Sequence, residues 1–259
     1  MRLIWKQGLN HCTKPLNSTK SYFISIVIPV YNEQNRISKT LTNLTGYLDN
    51  QEYIWEIVIV DDGSRDNTVE QIKPYLKDPR IKLINLPHSG KGSAIQKGML
   101  SANGEIRLMC DADMAMPVKY IADFISAINN KGYDIVIGSR QISGSKRFNE
   151  SGFRHLMGRV YNFWIKILLI SDYQDTQCGF KAFTASSATK IFPFQQLKGF
   201  GFDVEILVIA RLKKYKLKEL PIEWHHDQES KVNPVLDAIS MFVDTIKIKF
   251  ALYSGKYSD

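Results

Sequence analysis

The chain has 259 residues, 44% hydrophobic and 23% charged, with 34 Lys and Arg against 26 Asp and Glu for a net charge of +8. This balance excludes a disordered chain, a fibre and a disulfide mini-scaffold, and it points to an anionic partner without choosing among nucleic acid, an acidic membrane and phosphorylated ligands. Its 3 cysteines, Cys12, Cys110 and Cys178, form no C-x-x-C pair, which argues for a reducing compartment and against a structural zinc site. Residues 1–20 carry one short apolar patch (Leu3, Ile4, Trp5) and no signal-peptide core. From residue 23 onward strand and helix patterns alternate. A β-branched run at 23–30 reads as a buried strand, and 33–48 as a helix with Ile37, Leu41, Leu44 and Leu48 on one face. A second strand at 54–60 precedes a helix at 66–76 capped near Asp66 or Asn67. A strand at 81–86, a helix opened by Gly90-Lys-Gly92, and a strand at 105–110 follow. Pro117 starts a further helix, and 134–138 is a fifth strand. The second half reads as helix 153–170, strand 178–183, helix 203–213, strand 218–224 and helix 234–253. The alternation predicts an α/β fold with a mainly parallel central sheet flanked by helices.

In such sheets ligands bind beyond the carboxyl ends of the strands. Two acidic pairs fall there: Asp61 with Asp62, and Asp111 with Asp113. Two carboxylates one residue apart at a strand end can both approach one hard cation, Mg²⁺ or Mn²⁺, which completes its shell with substrate phosphates. A solvated acidic loop is the plain alternative. In Asp61-Asp-Gly-Ser64 a carboxylate can accept from a nucleobase or ribose, and a simple helix cap explains the run equally well. Pro29-Val-Tyr-Asn-Glu33 could flank the other side of a nucleotide. His88-Ser-Gly-Lys-Gly92 has the composition of a phosphate loop but not P-loop spacing, and no G-x-G-x-x-G follows the first strand. Lys91 at a helix start could face a diphosphate, or be merely solvated.

I-V-I-P-V-Y-N-E, V-D-D-G-S, G-K-G and D-A-D, in that order, resemble an inverting family 2 glycosyltransferase of GT-A fold. Gly138-Ser-Arg140, Asp175-Thr-Gln-Cys-Gly-Phe-Lys181 and Phe202-Asp-Val-Glu205 narrow the resemblance to dolichyl-phosphate β-glucosyltransferases and related polyprenyl-phosphate glycosyltransferases, over roughly residues 23–231. The resemblance implies residues 1–22 as an N-terminal extension, a GT-A domain at 23–233 and an amphipathic helix and tail at 234–259. It implies that Pro29, Tyr31 and Glu33 line the nucleotide, that Asp62 contacts its base or ribose, and that Lys91 lies near the donor. Asp111 and Asp113 would hold a divalent ion against a UDP diphosphate. Arg140 and Lys181 would form the cationic side of an acceptor site, with Gln177 and Asp203 in the pocket. Relatives often carry a small residue such as Gly after D-A-D, where this chain has Met114.

The implied reaction moves a hexose, glucose or a similar sugar, from a UDP-sugar to a polyprenyl phosphate. A phosphate acceptor is already ionised near neutral pH and needs cations to position it, whereas a sugar hydroxyl needs a general base. Arg140, Arg147, Arg154, Arg159 and Lys181 favour the phosphate. The competing expectation is a saccharide or protein hydroxyl acceptor with Asp203 or Glu205 as base. A sugar nucleotidyltransferase lacks its glycine-rich first loop here, and a non-enzymatic nucleotide- or lipid-binding protein has no need of Asp111 and Asp113. His225-His-Asp227 is expected to be surface or supporting rather than a metal site, since neighbouring histidines diverge on a strand.

No nucleic-acid partner is expected. No apolar stretch reaches the ~20 residues of a bilayer span. The protein is therefore expected in the cytoplasm, peripheral at the cytosolic face of an acidic membrane. The helix at 153–170 is expected to pack mainly in the core, with Arg154, Arg159 and Lys166 near lipid. The stripe Val235, Ile239, Phe242, Val243, Ile246 and Phe250, with Lys247, Lys249 and Lys256 in the same cationic stretch, is expected to meet a membrane surface; the competing expectation is that the stripe packs on the domain, and both hold if it packs inward and only the lysines face lipid.

Overall fold

The computed structural model describes residues 24–149, 152–225 and 236–258, without the side chains of 153–157 and 236–238. Strands β1 (Ile24–Val30), β2 (Trp55–Asp61), β3 (Ile81–Asn85), β4 (Ile106–Met109), β5 (Ile135–Ser139), β7 (Lys181–Thr184) and β8 (Leu217–Pro221) form one seven-stranded sheet in the order β3-β2-β1-β4-β7-β5-β8. All pairings are parallel except those of β7, which runs antiparallel between β4 and β5. A short parallel pair, β6 (Lys146–Phe148) with β9 (Glu223–His225), lies apart from it. Neither β6 nor the helix α6 (Ala185–Ile191) follows from the sequence pattern; both are too short to show a period.

The sheet separates two cores, because side chains alternate between its faces. On one face Ile24, Ile26, Ile28 and Val30 pack with helices α1 (Ile37–Leu48) and α4 (Tyr120–Lys131). On the other, Val27, Val58, Val60 and Ile137 pack against α3 (Lys91–Ser101), α5 (Gly152–Leu168), α6, α7 (Phe202–Leu212) and α8 (Leu236–Tyr253). The helix expected at 66–76 is split into α2 (Thr68–Ile72) and a 3₁₀ turn, Lys73–Lys77, which holds Pro74 near its start, where a missing N–H costs nothing. The N-cap position is Asn67, whose side chain makes no capping bond; Asp66, just before it, accepts from the Thr68 N–H through Oδ1 at 3.0 Å.

Of the two expectations for the α8 stripe, inward packing is not what the structure has. Ile239, Phe242, Val243, Ile246 and Phe250 are exposed, while Asp244, Thr245, Ile248 and Ala251 face the protein. Buried Tyr257 donates to Glu205 Oε1 at 2.8 Å, tying the end of the chain to α7. Val235 lies outside the described residues. Helix α5 is divided likewise: Tyr161 and Ile165 are buried, and Val160, Phe163, Trp164 and Ile167 are exposed.

Candidate active site

Strand β1 lies between β2 and β4, so the connections on its two sides run in opposite directions. A crevice opens at the carboxyl ends of β1 and β4, as it does wherever strand order reverses in a parallel sheet. A cavity of about 430 Å³ fills it, and Pro29, Tyr31, Glu33, Asp62, Lys91, Asp111 and Asp113 all line it. Four motifs far apart in sequence thus meet at one sheet edge.

Each wall has a local cause. Asp62 accepts from the Ser89 N–H (2.8 Å) and the Gly90 N–H (2.9 Å), tying the 88–90 loop to the end of β2. That loop ends at Gly90, whose φ of +112° disfavours any side chain, and α3 starts there with its N-terminus at the cavity. His88 stacks on Tyr31 with ring centroids 4.3 Å apart, and its Nδ1 lies 2.8 Å from Asp62 Oδ2. His88, Arg36, Gly199 and Phe200 complete the lining. His88 stands in the glycine-lysine run, so it was within reach of the sequence. Phe200 carries no motif and comes from the loop before α7.

Asp111 and Asp113 follow β4. Burial first, and then the charge of Asp111, push the Asp113 carboxyl up to about 6. Lys91 Nζ lies 2.6 Å from Asp111 Oδ1. Burial disfavours the Lys91 ammonium, but Asp111, Asp203 and Asp113 outweigh it and raise its pKa. One lysine thus serves a crowded carboxylate pair, and a divalent ion would fit as further counter-charge. Among the described residues no cluster of three His, Cys, Asp or Glu side chains brings a third ligand. An ion held by Asp111 and Asp113 would therefore take its other ligands from substrate phosphates and water, the usual habit of Mg²⁺. Met114, next in the chain, has φ of +45°. This is the left-handed region, costing roughly 1–2 kcal/mol for a residue with a Cβ. It gives a physical reason for glycine to be favoured at this position. Met114→Gly is expected to raise stability by up to about 1 kcal/mol, since glycine's own flexibility takes back part of the gain. A melting temperature lowered by several degrees would show that the thioether's packing against the core matters more than the backbone.

The D-T-Q-C-G-F-K run reaches this edge because β7 is antiparallel. The loop before β7 then lies beside the carboxyl end of β4, where Lys181 pairs with Met109. A Cβ on Gly179 would collide with the Asp111 carboxylate, so any larger residue would push that carboxylate out of its present position. Arg140 and Lys181, both expected at an acceptor site, have different surroundings. Arg140 binds buried Asp175 through Nε (2.7 Å) and Nη2 (2.8 Å) and lies 5.3 Å from the ring of Trp224. Burial alone would raise the Asp175 pKa, but the Arg140 guanidinium holds it below the usual carboxylate range. Lys181 is sealed from solvent, with Nζ bonded to the Cys178 carbonyl (2.6 Å) and to Asp203. Its ammonium is thus enclosed with Asp203, because β7 directs it under the sheet edge.

Asp203 is itself buried and absent from the cavity lining. Burial raises its pKa against the pull of Lys181 and Lys91. Glu205, the other expected base, is buried and accepts from the Gln196 and Leu197 N–H groups and Tyr257. Gln177 also falls outside the cavity: its Nε2 lies 3.8 Å from Met241 Sδ on α8. His225 stacks on Phe148 with ring centroids 4.6 Å apart. His226, Asp227, Ser230 and Lys231, and the Arg154 side chain, lie outside the described residues.

A parallel sheet with a nucleotide-sized crevice at its switch point, paired carboxylates in the crevice and an inserted antiparallel strand defines a glycosyltransferase of GT-A fold. Residues 25–192 match the profile of glycosyl transferase family 2, and the chain belongs to that family. It is 35% identical to dolichyl-phosphate beta-glucosyltransferase ALG5C of Trichomonas vaginalis, over 93% of this chain and 75% of that protein. It is 36% identical to the dolichyl-phosphate beta-glucosyltransferase of Saccharomyces cerevisiae, over 92% of this chain and 77% of the relative, and 30% identical to that of Homo sapiens, over 90% and 77%. Among solved structures, glucosyl-3-phosphoglycerate synthase of Mycobacterium tuberculosis, crystallised with Mn²⁺, UDP-glucose and phosphoglyceric acid, shares the fold with a TM-score of 0.67 at 15% identity, covering 88% of this chain and 80% of that one.

Proposed function

We propose that this glycosyltransferase moves glucose from UDP-glucose to a polyprenyl phosphate of the dolichyl type, with inversion, at the cytosolic face of a membrane. The relatives' names support the sugar and the acceptor. The observation that carries the reading is the engagement of both available bases. Asp203 is bonded to Lys181 and Glu205 to two amides and a tyrosine, which suits an acceptor already ionised and not a hydroxyl awaiting deprotonation.

In this reading Tyr31, stacked on His88, and Pro29 flank the uracil, and Glu33 and Asp62 bound the ribose side. The N-terminus of α3 and Lys91 face the diphosphate, where backbone amides and an ammonium favour negative charge. Asp111 and Asp113 hold Mg²⁺ or Mn²⁺. When bound, that ion stabilises charge developing on the leaving diphosphate. Arg140, fixed by Asp175, presents its cation beside Trp224 to the acceptor phosphate, one of whose oxygens forms the new bond to the anomeric carbon as UDP departs. Arg140→Gln is expected to raise the KM for polyprenyl phosphate several-fold more than that for UDP-glucose; a shift confined to the donor curve would remove Arg140 from the acceptor site. The reading as a whole is tested by incubating the protein with labelled UDP-glucose and dolichyl phosphate, with and without Mn²⁺. Label should enter the organic phase only with the metal. Label appearing in aqueous glycan instead would assign a hydroxyl acceptor.

A further inference from the structure

The Glu205 carboxylate is completely buried in the first turn of α7, and the proposed transfer does not use it. Its charge is met by three neutral donors: the Gln196 N–H at 3.0 Å, the Leu197 N–H at 2.8 Å and the Tyr257 hydroxyl at 2.8 Å. A carboxylate out of water needs such donors, and charge-assisted bonds hold them firmly in return. The two amides belong to the loop 195–201, whose Gly199 and Phe200 line the donor cavity. Tyr257 comes from beyond α8, where the Lys256 N–H bonds the Ala251 carbonyl at 3.1 Å and folds the chain back onto α7.

The same loop caps α3. Gly90, the N-cap residue, has no side chain to do so. Instead the Lys198 carbonyl accepts from the Gly92 N–H at 2.7 Å and the Ser93 N–H at 3.3 Å, two of the amides that a helix start leaves open. Gln195 reinforces the contact, its Nε2 donating to the Gly92 carbonyl at 2.8 Å and to the Leu197 carbonyl at 2.9 Å. The two backbones lie so close that a Cβ on Gly92 would stand 2.6 Å from the Leu197 carbonyl oxygen. Lys91, between the two glycines, therefore leaves the backbone in a direction that the loop sets, and its Nζ reaches Asp111 Oδ1 at 2.6 Å. Hydrogen bonds thus run without a break from Tyr257 through Glu205 and the loop to the turn that carries Lys91.

We propose that Glu205 is a positioning residue for the donor site: with Tyr257 behind it, it braces the 195–201 loop against α3 and so holds Lys91 and Phe200 where the donor's diphosphate arrives. This rests on the preceding reading of the cavity as a UDP-glucose site, and it gives the glutamate of Phe202-Asp-Val-Glu205 a task other than proton transfer. The loop bonds to α3, whereas the uracil is read to lie at Tyr31 and Pro29. Loosening the brace should therefore cost diphosphate binding more than nucleoside binding.

Glu205→Gln keeps the shape but turns one acceptor oxygen into a donor, so one of the loop amides loses its partner. The affinity for UDP, measured by titration calorimetry with Mn²⁺ present, should fall about tenfold, and inhibition by uridine should be unchanged. The KM for UDP-glucose should rise by the same factor, with kcat and the KM for dolichyl phosphate within about threefold of wild type. Tyr257→Phe removes a single hydroxyl, is expected to fold, and should show the same pattern at about threefold. Adding Lys91→Met to Glu205→Gln should weaken UDP by less than the product of the two single effects, since both act through one contact. A fall in kcat of about a hundredfold with UDP affinity unchanged would overturn the proposal and make Glu205 the base for a hydroxyl acceptor. UDP and uridine affinities lost together would also overturn it, as the mark of a merely structural carboxylate, and so would two variants that bind UDP like wild type. Hydrogen exchange separates the brace from the nucleotide: without ligand, the Gly92 and Ser93 amides should exchange faster in both variants than in wild type. If wild type binds no UDP, the donor reading falls, and these exchange rates by themselves uphold or overturn the brace.

Discussion

Asp113→Asn is expected to cut glucosyl transfer by at least about a hundredfold while leaving the protein folded. Stabilising charge on a departing diphosphate is worth several kcal/mol when a divalent ion supplies it, and each 1.36 kcal/mol is about tenfold in rate. Asn keeps the shape of Asp113 and its acceptor for the Ala115 N–H, 3.0 Å away, but it withdraws the charge that an ion needs. The same change should not lower stability in the absence of metal, and the pH dependence says why. The Asp113 carboxyl titrates at about 6 in the folded protein against an ordinary 3.8, so the folded state holds this proton more tightly than the unfolded chain does. Its contribution to stability is therefore fully present below about pH 4 and is lost as the pH rises through about 6. As far as this group decides it, metal-free wild type should melt lower at pH 7 than at pH 5, and Asp113→Asn should remove that part of the difference. Mn²⁺ should raise the melting temperature of wild type at pH 7, less so below pH 6, where protons compete for the ligand. Full activity of Asp113→Asn, or of wild type in chelator, would exclude the metal role.

Lys181→Met is expected to destabilise the fold by about 3–5 kcal/mol, because it leaves Asp203 as a buried carboxylate without its ammonium partner. Lys181 is completely buried and also donates to the Cys178 carbonyl, which would lose that bond. For a chain of this size, about 2–4 °C of melting temperature follows each kcal/mol, so the drop should be on the order of 10 °C. Adding Asp203→Leu should restore much of the loss, since an apolar pair of similar volume often replaces a buried ion pair without cost. Circular dichroism melts of the single and double variants decide the point. A double variant no more stable than Lys181→Met would mean that Asp203 has a further role, and the neighbouring charge of Lys91 is where to seek it.

The layered α/β architecture was legible in the sequence because burial on both faces of a parallel sheet demands continuous β-branched runs, as at Ile24–Val30 and Trp55–Asp61, and these are local. The lining of the crevice was legible for the same reason. Tyr31 and Asp62 follow a strand directly, Asp111 stands two residues beyond one and Lys91 opens the helix after β3, and every parallel strand delivers its carboxyl end to the same edge. Three matters were decided only in the tertiary structure. The direction of β7 depends on pairing with β4 and β5, which no run of residues encodes, and it is this reversal that lays Gly179 on Asp111 and sinks Lys181 beneath the edge. How far a charged side chain is enclosed depends on what lies across the fold: Arg140 and Lys181 look alike in sequence and each pairs with a buried carboxylate, but Lys181 is sealed while Arg140 keeps part of its surface exposed. Last, a helical stripe states that one face is apolar, and not which way that face turns. The α8 stripe turns outward because Asp244, Thr245, Ile248 and Ala251 hold the opposite face against the protein, and that choice belongs to packing between elements distant in the chain.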